Sequence, residues 1–325
     1  MPNPTAGQVH VDTLLTDLSV AYLQSSTKYV ADRVFPRVPV ANRSNIYAVY
    51  SQADFLRDEV SIRQAGSAPR RVGYGTDNTN KYSADEYAVE HIIDDQVRAN
   101  ANGPYMPEED AVKFLTQKML LKREVDFAAK FFSTAIWTGS SKASGDMEGG
   151  TDFTKWSNAA STPIEDIHKE MQNVEAKTSL LPNKLVVNRK VWFNLKNHPD
   201  IVDRVKYTSR DAVSTDIVAR LLGLDEILVA AAVKNSNPEA LAHSGSYIEG
   251  SNALLVYAAP SPGLMQPSGG YTFVWTGLMG SNEGQVVETY RDDKVVSDVI
   301  RMRAAWDQRV ISGTLGVLFH SASTN

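Results

Sequence analysis

Apolar and polar residues alternate in part of the chain between residues 45 and 95, where the pattern predicts two strand-like runs joined by a long polar connection. The first run spans Ile46 to Tyr50. The return run places four side chains on one face: Tyr87, Val89, His91 and Ile93. The connection from Gly66 to Asn80 has a length typical of functional or disordered loops. Because both runs carry too little apolar surface for a domain, we predict a projection that finds its core on another molecule.

A helical pattern follows the projection. Pro107 and the three acidic residues after it predict a helix start, because proline suits the first turn and carboxylates complement the positive helix terminus. The apolar positions that follow fall on one stripe: Phe114, Leu121, Val125, Ala128, Phe132 and Ala135. The stripe predicts a single spine helix of roughly 30 residues, which is well above the usual length.

Helices and short apolar runs then alternate. Residues 162–165 read as a capping box with proline at the first helical position, which predicts another helix start. Three short runs predict buried strands: residues 185–187, 227–233 and 253–258. The alternation predicts a compact α/β body over residues 160–265.

The C-terminal part returns to strand patterns, with its longest run at residues 295–306. Five apolar side chains of this run share a face: Val296, Ile300, Met302, Ala304 and Trp306. We expect the sheet that these strands form to pack on the spine helix, because both elements need an apolar partner.

Composition narrows the classes of protein that fit. A chain of 325 residues with 42% hydrophobic content can bury a substantial core, and the absence of cysteine excludes disulfides and thiolate chemistry. The net charge of -5 argues against a dedicated DNA reader. The longest apolar stretch, Ile227 to Val233, is far shorter than the roughly 20 residues of a membrane span. Because the start also lacks a secretory pattern, we expect a soluble protein made in the cytosol.

Motifs for catalysis or cofactor binding are weak. The chain lacks a GxxxxGK phosphate loop, and its six histidines are scattered without a metal-ligand spacing. Ser25 to Lys28 matches SxxK but lacks the companion motifs of that enzyme class. The acid pairs Asp94-Asp95 and Asp292-Asp293 fit solvated turns better than a cation site. We therefore predict no enzyme, cofactor or metal, and an unrecognised enzyme built on the α/β body stays the third hypothesis.

Charged residues concentrate on the projection. They comprise four arginines and three acids: Arg57, Arg63, Arg70, Arg71, Asp54, Asp58 and Glu59. A solvated loop and an intersubunit interface both fit this set. Arginine forks bind carboxylates bidentately and are favoured at interfaces. Because an ordered projection cannot otherwise offset its conformational entropy, we predict that these seven residues form intersubunit contacts.

The order of these parts, together with three local runs, resembles the tailed-bacteriophage major capsid proteins, whose fold is shared with herpesvirus capsid floors and encapsulins. The runs are Tyr29 to Val40, Ala53 to Glu59 and Leu120 to Asp126. The resemblance implies an α+β fold with five parts. These are an N-terminal arm (1–44), an extended β-hairpin loop (45–98), a peripheral domain with the spine helix (99–160), an α/β axial domain (161–268) and the closing sheet of the peripheral domain (269–325).

The resemblance also implies a function. Such proteins are expected to form hexamers and pentamers of an icosahedral shell that encloses double-stranded DNA without sequence-specific binding. It implies a virion capsid assembled in the host cytoplasm, with a separate scaffolding protein and a portal, and it leaves a decoration protein open. An encapsulin-like compartment is the alternative. Since Lys81 lies on the return run and the tip carries Arg70 and Arg71, no crosslinking residue is transferred and noncovalent locking is expected.

Overall fold

The computed structural model describes residues 24–100, 106–142, 145–206, 213–238, 241–263, 265–277 and 284–324. Residues 1–23 of the predicted arm lie outside this part. The helices are α1 (Ala31–Val34), α2 (Gln52–Phe55), α3 (Asp95–Ala99), α4 (Pro107–Phe131), α5 (Pro163–Thr178), α6 (Arg189–Asn197), α7 (Pro199–Val205) and α8 (Thr215–Leu222). Two short 3₁₀ turns span Ser26–Lys28 and Gly313–Leu315.

The strands fall into two five-stranded sheets and three two-stranded ones. They are β1 (Arg37–Val40), β2 (Ser44–Ile46), β3 (Val49–Tyr50), β4 (Thr76–Asp77), β5 (Lys81–Ser83), β6 (Asp85–Asp94), β7 (Met147–Glu148), β8 (Lys184–Asn188), β9 (Glu226–Ala230), β10 (Val233–Asn235), β11 (Gly245–Tyr247), β12 (Ala253–Val256), β13 (Gly270–Trp275), β14 (Gln285–Asp292), β15 (Ser297–Val310) and β16 (Gly316–His320).

The central sheet has the order β7-β16-β12-β8-β9 and is covered on both faces. On one face Leu185 and Leu255 pack in a cluster with the apolar side of α5. On the other face Val186 and Leu254 pack with Phe127 of α4 and its neighbours. Strands buried on both faces read as continuous apolar runs. For this reason β8, β9 and β12 could be predicted from their uninterrupted apolar residues. The three predicted strands are confirmed.

The peripheral sheet is built around β15, which is 14 residues long. Residues 297–306 of β15 pair with β6 on one edge. On the other edge β15 pairs first with β14 and then with β13, and β13 pairs in parallel with β1. Four members of the predicted face of β15 (Ile300, Met302, Ala304 and Trp306) pack with Leu115 and Met119 of α4. The predicted contact between the sheet and the spine helix is confirmed.

The return run of the projection has a different partner from the one predicted. Tyr87, Val89 and Ile93 do share a face, but they pack against α4 and β15 of the same chain. Because β15 offers an unpaired edge of matching length, β6 completes the peripheral sheet. The expectation that this run finds its core on another molecule is wrong. The segment of the projection that is not paired with the peripheral sheet ends near residue 84.

The spine helix α4 has 25 residues and starts at Pro107 as predicted. The predicted apolar stripe is wrong, however, since Phe114 is exposed and the helix ends before Phe132. The side chains buried by tertiary contacts are Ala111, Leu115, Met119, Arg123, Glu124, Phe127 and Phe131. Arg123 and Glu124 lie in the middle of this buried face, so the face does not read as an apolar stripe in the sequence.

Helix α5 starts at Pro163, as the 162–165 pattern predicts, but its cap differs from the prediction. The Thr162 side chain makes no capping hydrogen bond. The Glu165 carboxylate instead accepts a hydrogen bond from Arg204 of α7 at 2.7 Å. Local sequence therefore determines where α5 begins. The Glu165 side chain, which was predicted to cap α5, instead forms a contact between α5 and α7.

Candidate intersubunit interface

The base of the projecting loop is anchored on the peripheral sheet by aromatic rings. Tyr82 of β5 stacks on Phe273 of β13 with ring centroids 4.5 Å apart and planes 11° from parallel. Tyr47 covers the same Phe273 ring at 5.4 Å. The neighbouring Ser83 amide donates to the Asp307 carboxylate at 3.0 Å. These contacts hold β2 and β5, which pair with each other, against the body of the subunit.

Farther out, a second set of contacts shapes the loop where β3 pairs with β4. The rings of Tyr50, Phe55 and Tyr74 contact one another with centroid distances of 5.6 to 6.1 Å. The Gly75 amide donates to the Asp54 carboxylate at 2.9 Å, and this bond is the largest cause that lowers the pKa of Asp54. These three rings, the aromatic triad, pack together at the root of the tip.

The α2 helix also ties the loop to the α/β body. The Gln52 amide nitrogen donates to the Lys177 carbonyl, near the end of α5, at 2.5 Å. Its amide oxygen accepts from the Thr314 hydroxyl at 3.4 Å. The projection therefore leaves the subunit in a fixed direction, because its base is held on the peripheral sheet and its middle on the body.

The tip between residues 56 and 74 presents apolar side chains to solvent. Its strongly exposed members, with the exposed percentage of each, are Leu56 (54), Val60 (93), Ile62 (99), Val72 (64) and Tyr74 (62). Single exposed apolar residues are common, but several strongly exposed ones within one loop are typical of an interaction surface. This apolar surface was not predicted from the sequence, because only the charged residues of the tip form a recognisable local pattern.

Several predicted interface residues are paired inside the loop. Arg57 lies 3.5 Å from Asp54 and 3.3 Å from Glu59, and Arg70 lies 3.7 Å from the same Glu59 carboxylate. Both arginines are more than half exposed, so each pair adds at most about 1 kcal/mol to stability. These ion pairs stabilise the conformation of the tip. Fewer of its charged side chains are therefore available to bind a neighbouring subunit than the sequence implies.

The remaining predicted residues are differently placed. The Arg63 Nε donates to the Ser67 carbonyl at 2.6 Å, and Asp58 accepts from the Val60 amide at 3.3 Å. Among the residues that the structure describes, Arg71 makes no ion pair or side-chain hydrogen bond. Arg71 is therefore the guanidinium of the tip with the most capacity to bind a carboxylate elsewhere.

Other candidates from the sequence have structural roles. Asp94 caps α3 by accepting from the Gln96 amide at 2.7 Å, and Asp95 binds both terminal nitrogens of Arg291 at 2.6 Å. Within the described ranges, no group of three or more metal-ligating side chains comes together. No helix in that same part of the chain is long and apolar enough to cross a membrane.

Comparison with solved structures defines the fold. A phage-related protein from Bordetella bronchiseptica superimposes with a TM-score of 0.70 at 21% identity, covering 93% of this chain and 94% of that one. The capsid of cyanophage P-SCSP1u gives a TM-score of 0.59 at 10% identity over 93% and 90%. An encapsulin from Synechococcus elongatus gives 0.56 at 11% identity over 94% and 92%. The chain has the phage capsid fold, which confirms the predicted α+β class.

Curated relatives make the resemblance more specific. The major capsid protein of Burkholderia phage BcepMu is 23% identical over 269 residues, which cover 81% of this chain and 82% of that protein. The major capsid protein of Pseudomonas phage JBD67 is 28% identical over 228 residues, or 69% and 70%. No family model matches the chain. The chain is thus a homologue of phage major capsid proteins.

Proposed function

We propose that the chain is the major capsid protein of a tailed bacteriophage. Copies of it assemble into hexamers and pentamers of an icosahedral shell that encloses double-stranded DNA. The observation that carries this proposal is the match of both sequence and fold, over most of the chain, to phage capsid proteins. The function then resides in surfaces between subunits and not in a catalytic site.

The exposed tip is the surface that we assign to a neighbouring subunit. Val60 and Ile62 are almost fully exposed in the single chain, and burial of each side chain would contribute about 1.5 to 3 kcal/mol. Four of the seven charged residues flank these apolar positions along the chain: Arg57, Asp58, Glu59 and Arg63. In our proposal Arg63 and Arg71 meet carboxylates of the neighbour, while Arg57 and Arg70 keep the tip in shape.

The division of the chain follows from the same proposal. We assign residues 1–44 to the arm, of which 1–23 lie outside the described residues, and residues 45–98 to the extended loop, of which β6 is built into the peripheral sheet. The peripheral domain combines residues 99–160 with the closing sheet of residues 269–325. Residues 161–268 form the axial domain, which would face a symmetry axis of the hexamer or pentamer.

Partners follow from a capsid role. We expect a separate scaffolding protein and a portal during assembly in the host cytoplasm, and the finished shell to be the capsid of the virion. Packaged DNA would be enclosed without sequence-specific recognition, and the net charge of -5 gives the chain no general attraction to nucleic acid. A decoration protein fits the proposal but is not required by it.

Electron microscopy and sedimentation of the purified chain, with and without the phage scaffold, test the proposal. Closed shells are expected, and a chain that stays monomeric under both conditions would overturn it. Ile62→Asp should stop assembly without unfolding the subunit, since this side chain is 99% exposed. Ile62→Val keeps the apolar surface and serves as the matched control that still assembles.

The encapsulin-like compartment remains the second candidate because an encapsulin shares the fold. The contents of shells isolated from the native host distinguish the two. Nuclease-protected double-stranded DNA supports the virus, whereas a single enriched cargo enzyme supports the compartment. The curated relatives favour the virus.

A further inference from the structure

Two glutamates meet in the interior where three parts of the subunit join. Glu124 of α4 is fully buried, and Glu249, in the turn before β12, is 2% exposed. The two carboxyl groups lie against each other, with Asn188 of β8 beside Glu249. Buried charges are costly unless they are paired, and two adjacent carboxylates repel each other. This pair does not take part in the proposed assembly surface.

Glu124 fastens an N-terminal segment to the spine helix. We define the strap as residues 24–35. The Glu124 carboxylate accepts hydrogen bonds from the Val30 amide at 3.0 and 3.1 Å and from the Ala31 amide at 2.9 Å. Nearby, the Phe35 ring of the strap packs on Phe131 with centroids 4.7 Å apart. The same carboxylate thus contacts Glu249 and holds the strap.

The strap is also tied to the α/β body. The Gln24 amide group exchanges two hydrogen bonds with the Val233 backbone, at 2.7 and 2.9 Å. The Ala231 amide donates to the Lys28 carbonyl at 3.2 Å. Ionisable side chains of the body also hold the strap, since Lys184 of β8 donates to the Arg33 and Val34 carbonyls at 2.6 and 3.0 Å and Glu226 of β9 pairs with Arg33.

Hydrogen-bond capacity shows where a proton is needed. A carboxylate only accepts hydrogen bonds, and neither Glu249 oxygen has a donor within hydrogen-bond distance among the described residues, although the Asn188 side chain and the Glu249 amide lie near enough to lower its pKa in part. Glu124 already accepts from two backbone amides, which favours its ionised form. A proton on Glu249 would turn that side chain into a donor to Glu124 and remove one of two adjacent charges.

The neighbouring charged and titratable groups do not neutralise the pair. The Nη1 atom of Arg123, next to Glu124 on the spine helix, donates to both carboxylate oxygens of Asp32, at 2.9 and 3.0 Å. Asp32, from the strap, adds negative charge, and the Tyr29 hydroxyl has no partner in the described chain. Burial, followed by the Glu124 charge, raises the pKa of Glu249 to about 9. Burial raises the pKa of Glu124 as well.

We infer that Glu124 and Glu249 share one proton, and that this proton acts as a latch that keeps the strap closed on the spine helix and the α/β body. When the proton is lost, two negative charges face each other in the interior. Glu124 then turns from the strap amides toward solvent, and the strap opens. The latch is a property of the single subunit and does not rest on the proposed function.

Two measurements on the full-length, unassembled chain test the latch. Infrared spectroscopy at pH 7 should show the carbonyl band of a buried protonated carboxylic acid, which disappears with a midpoint near pH 9. Hydrogen exchange should show the strap opening more often as pH rises, because the closed form retains a proton that the open form loses. After correction for intrinsic exchange, the opening constant should rise about tenfold per pH unit below that midpoint.

Glu249→Gln supplies a permanent donor in place of the proton. This variant should keep the strap closed and should lose both the infrared band and the tenfold rise in opening per pH unit, whereas the contacts of Lys184 with the strap are unchanged. The matched control is Asp293→Asn, which removes a carboxylate that is 95% exposed and should behave like the parent chain. If the parent chain shows no carboxylic acid band at pH 7, the latch is overturned even when the variant does not fold. If Glu249→Gln folds and its opening constant still rises with pH as steeply as that of the parent, the latch is overturned as well.

Discussion

Truncation of Tyr82 should open the base of the projecting loop while the rest of the subunit stays folded. Tyr82 is 6% exposed and belongs to a small cluster with Tyr271 and Phe273, apart from the clusters of the central sheet and the spine helix. In Tyr82→Ala the stacked ring is lost, and the hydroxyl no longer donates to the Asn42 carbonyl at 3.3 Å. The substitution should mainly weaken the pairing of β2 with β5.

The size of the effect follows from burial. Removal of a buried aromatic ring costs about 3 to 5 kcal/mol, of which stacking contributes about 0.5 to 1.5 kcal/mol. Tyr82→Phe retains the ring and loses only the hydrogen bond, so it should cost about 0.5 to 1.5 kcal/mol. If the cluster opens as a local unit, the stability of the central sheet should change far less than the stability of the loop base.

Trypsin cleavage after Lys81 measures this opening in unassembled subunits, because Lys81 lies in β5 and is protected by its pairing with Ile46. The cleavage rate should rise at least about a hundredfold in Tyr82→Ala and about tenfold or less in Tyr82→Phe. Urea unfolding of the whole chain supplies the comparison. An unchanged cleavage rate would refute the anchoring role of Tyr82. A full 3 to 5 kcal/mol loss of global stability would refute the independence of the loop base.

Three further outcomes are expected. Arg71→Glu should raise the concentration needed for assembly roughly tenfold, more than Arg70→Glu does, because Arg70 lies near the Glu59 carboxylate whereas Arg71 has no ion-pair partner among the described residues; light scattering measures both. Gly316→Ala should destabilise the subunit by about 1 to 3 kcal/mol in urea, since the new methyl would lie 2.4 Å from a ring carbon of Trp137. Carbon NMR should place the pKa of Asp54 below its ordinary value of 3.8, so the tip should lose order only as pH falls through that lowered pKa.

Much of the fold could be predicted where one local pattern dominates. The strands β8, β9 and β12 are buried on both faces, and the alternation in β6 and β15 assigns the correct sides. The start of α4 at Pro107 follows from its first turn alone. The charged and polar composition of the loop is a local feature too, and the contact of this loop with a neighbouring subunit stays a prediction.

What the sequence by itself determined is the type, order and inward face of most elements, since side-chain periodicity and turn chemistry act over a few residues. The tertiary structure alone decided which partner each face has. β6 pairs with β15 more than 200 residues away, Arg57 and Arg70 find their carboxylates inside the tip, and Glu124 is buried against Val30 and Glu249. A buried charge looks like a surface charge in the sequence, because the groups that satisfy it are brought close only by folding.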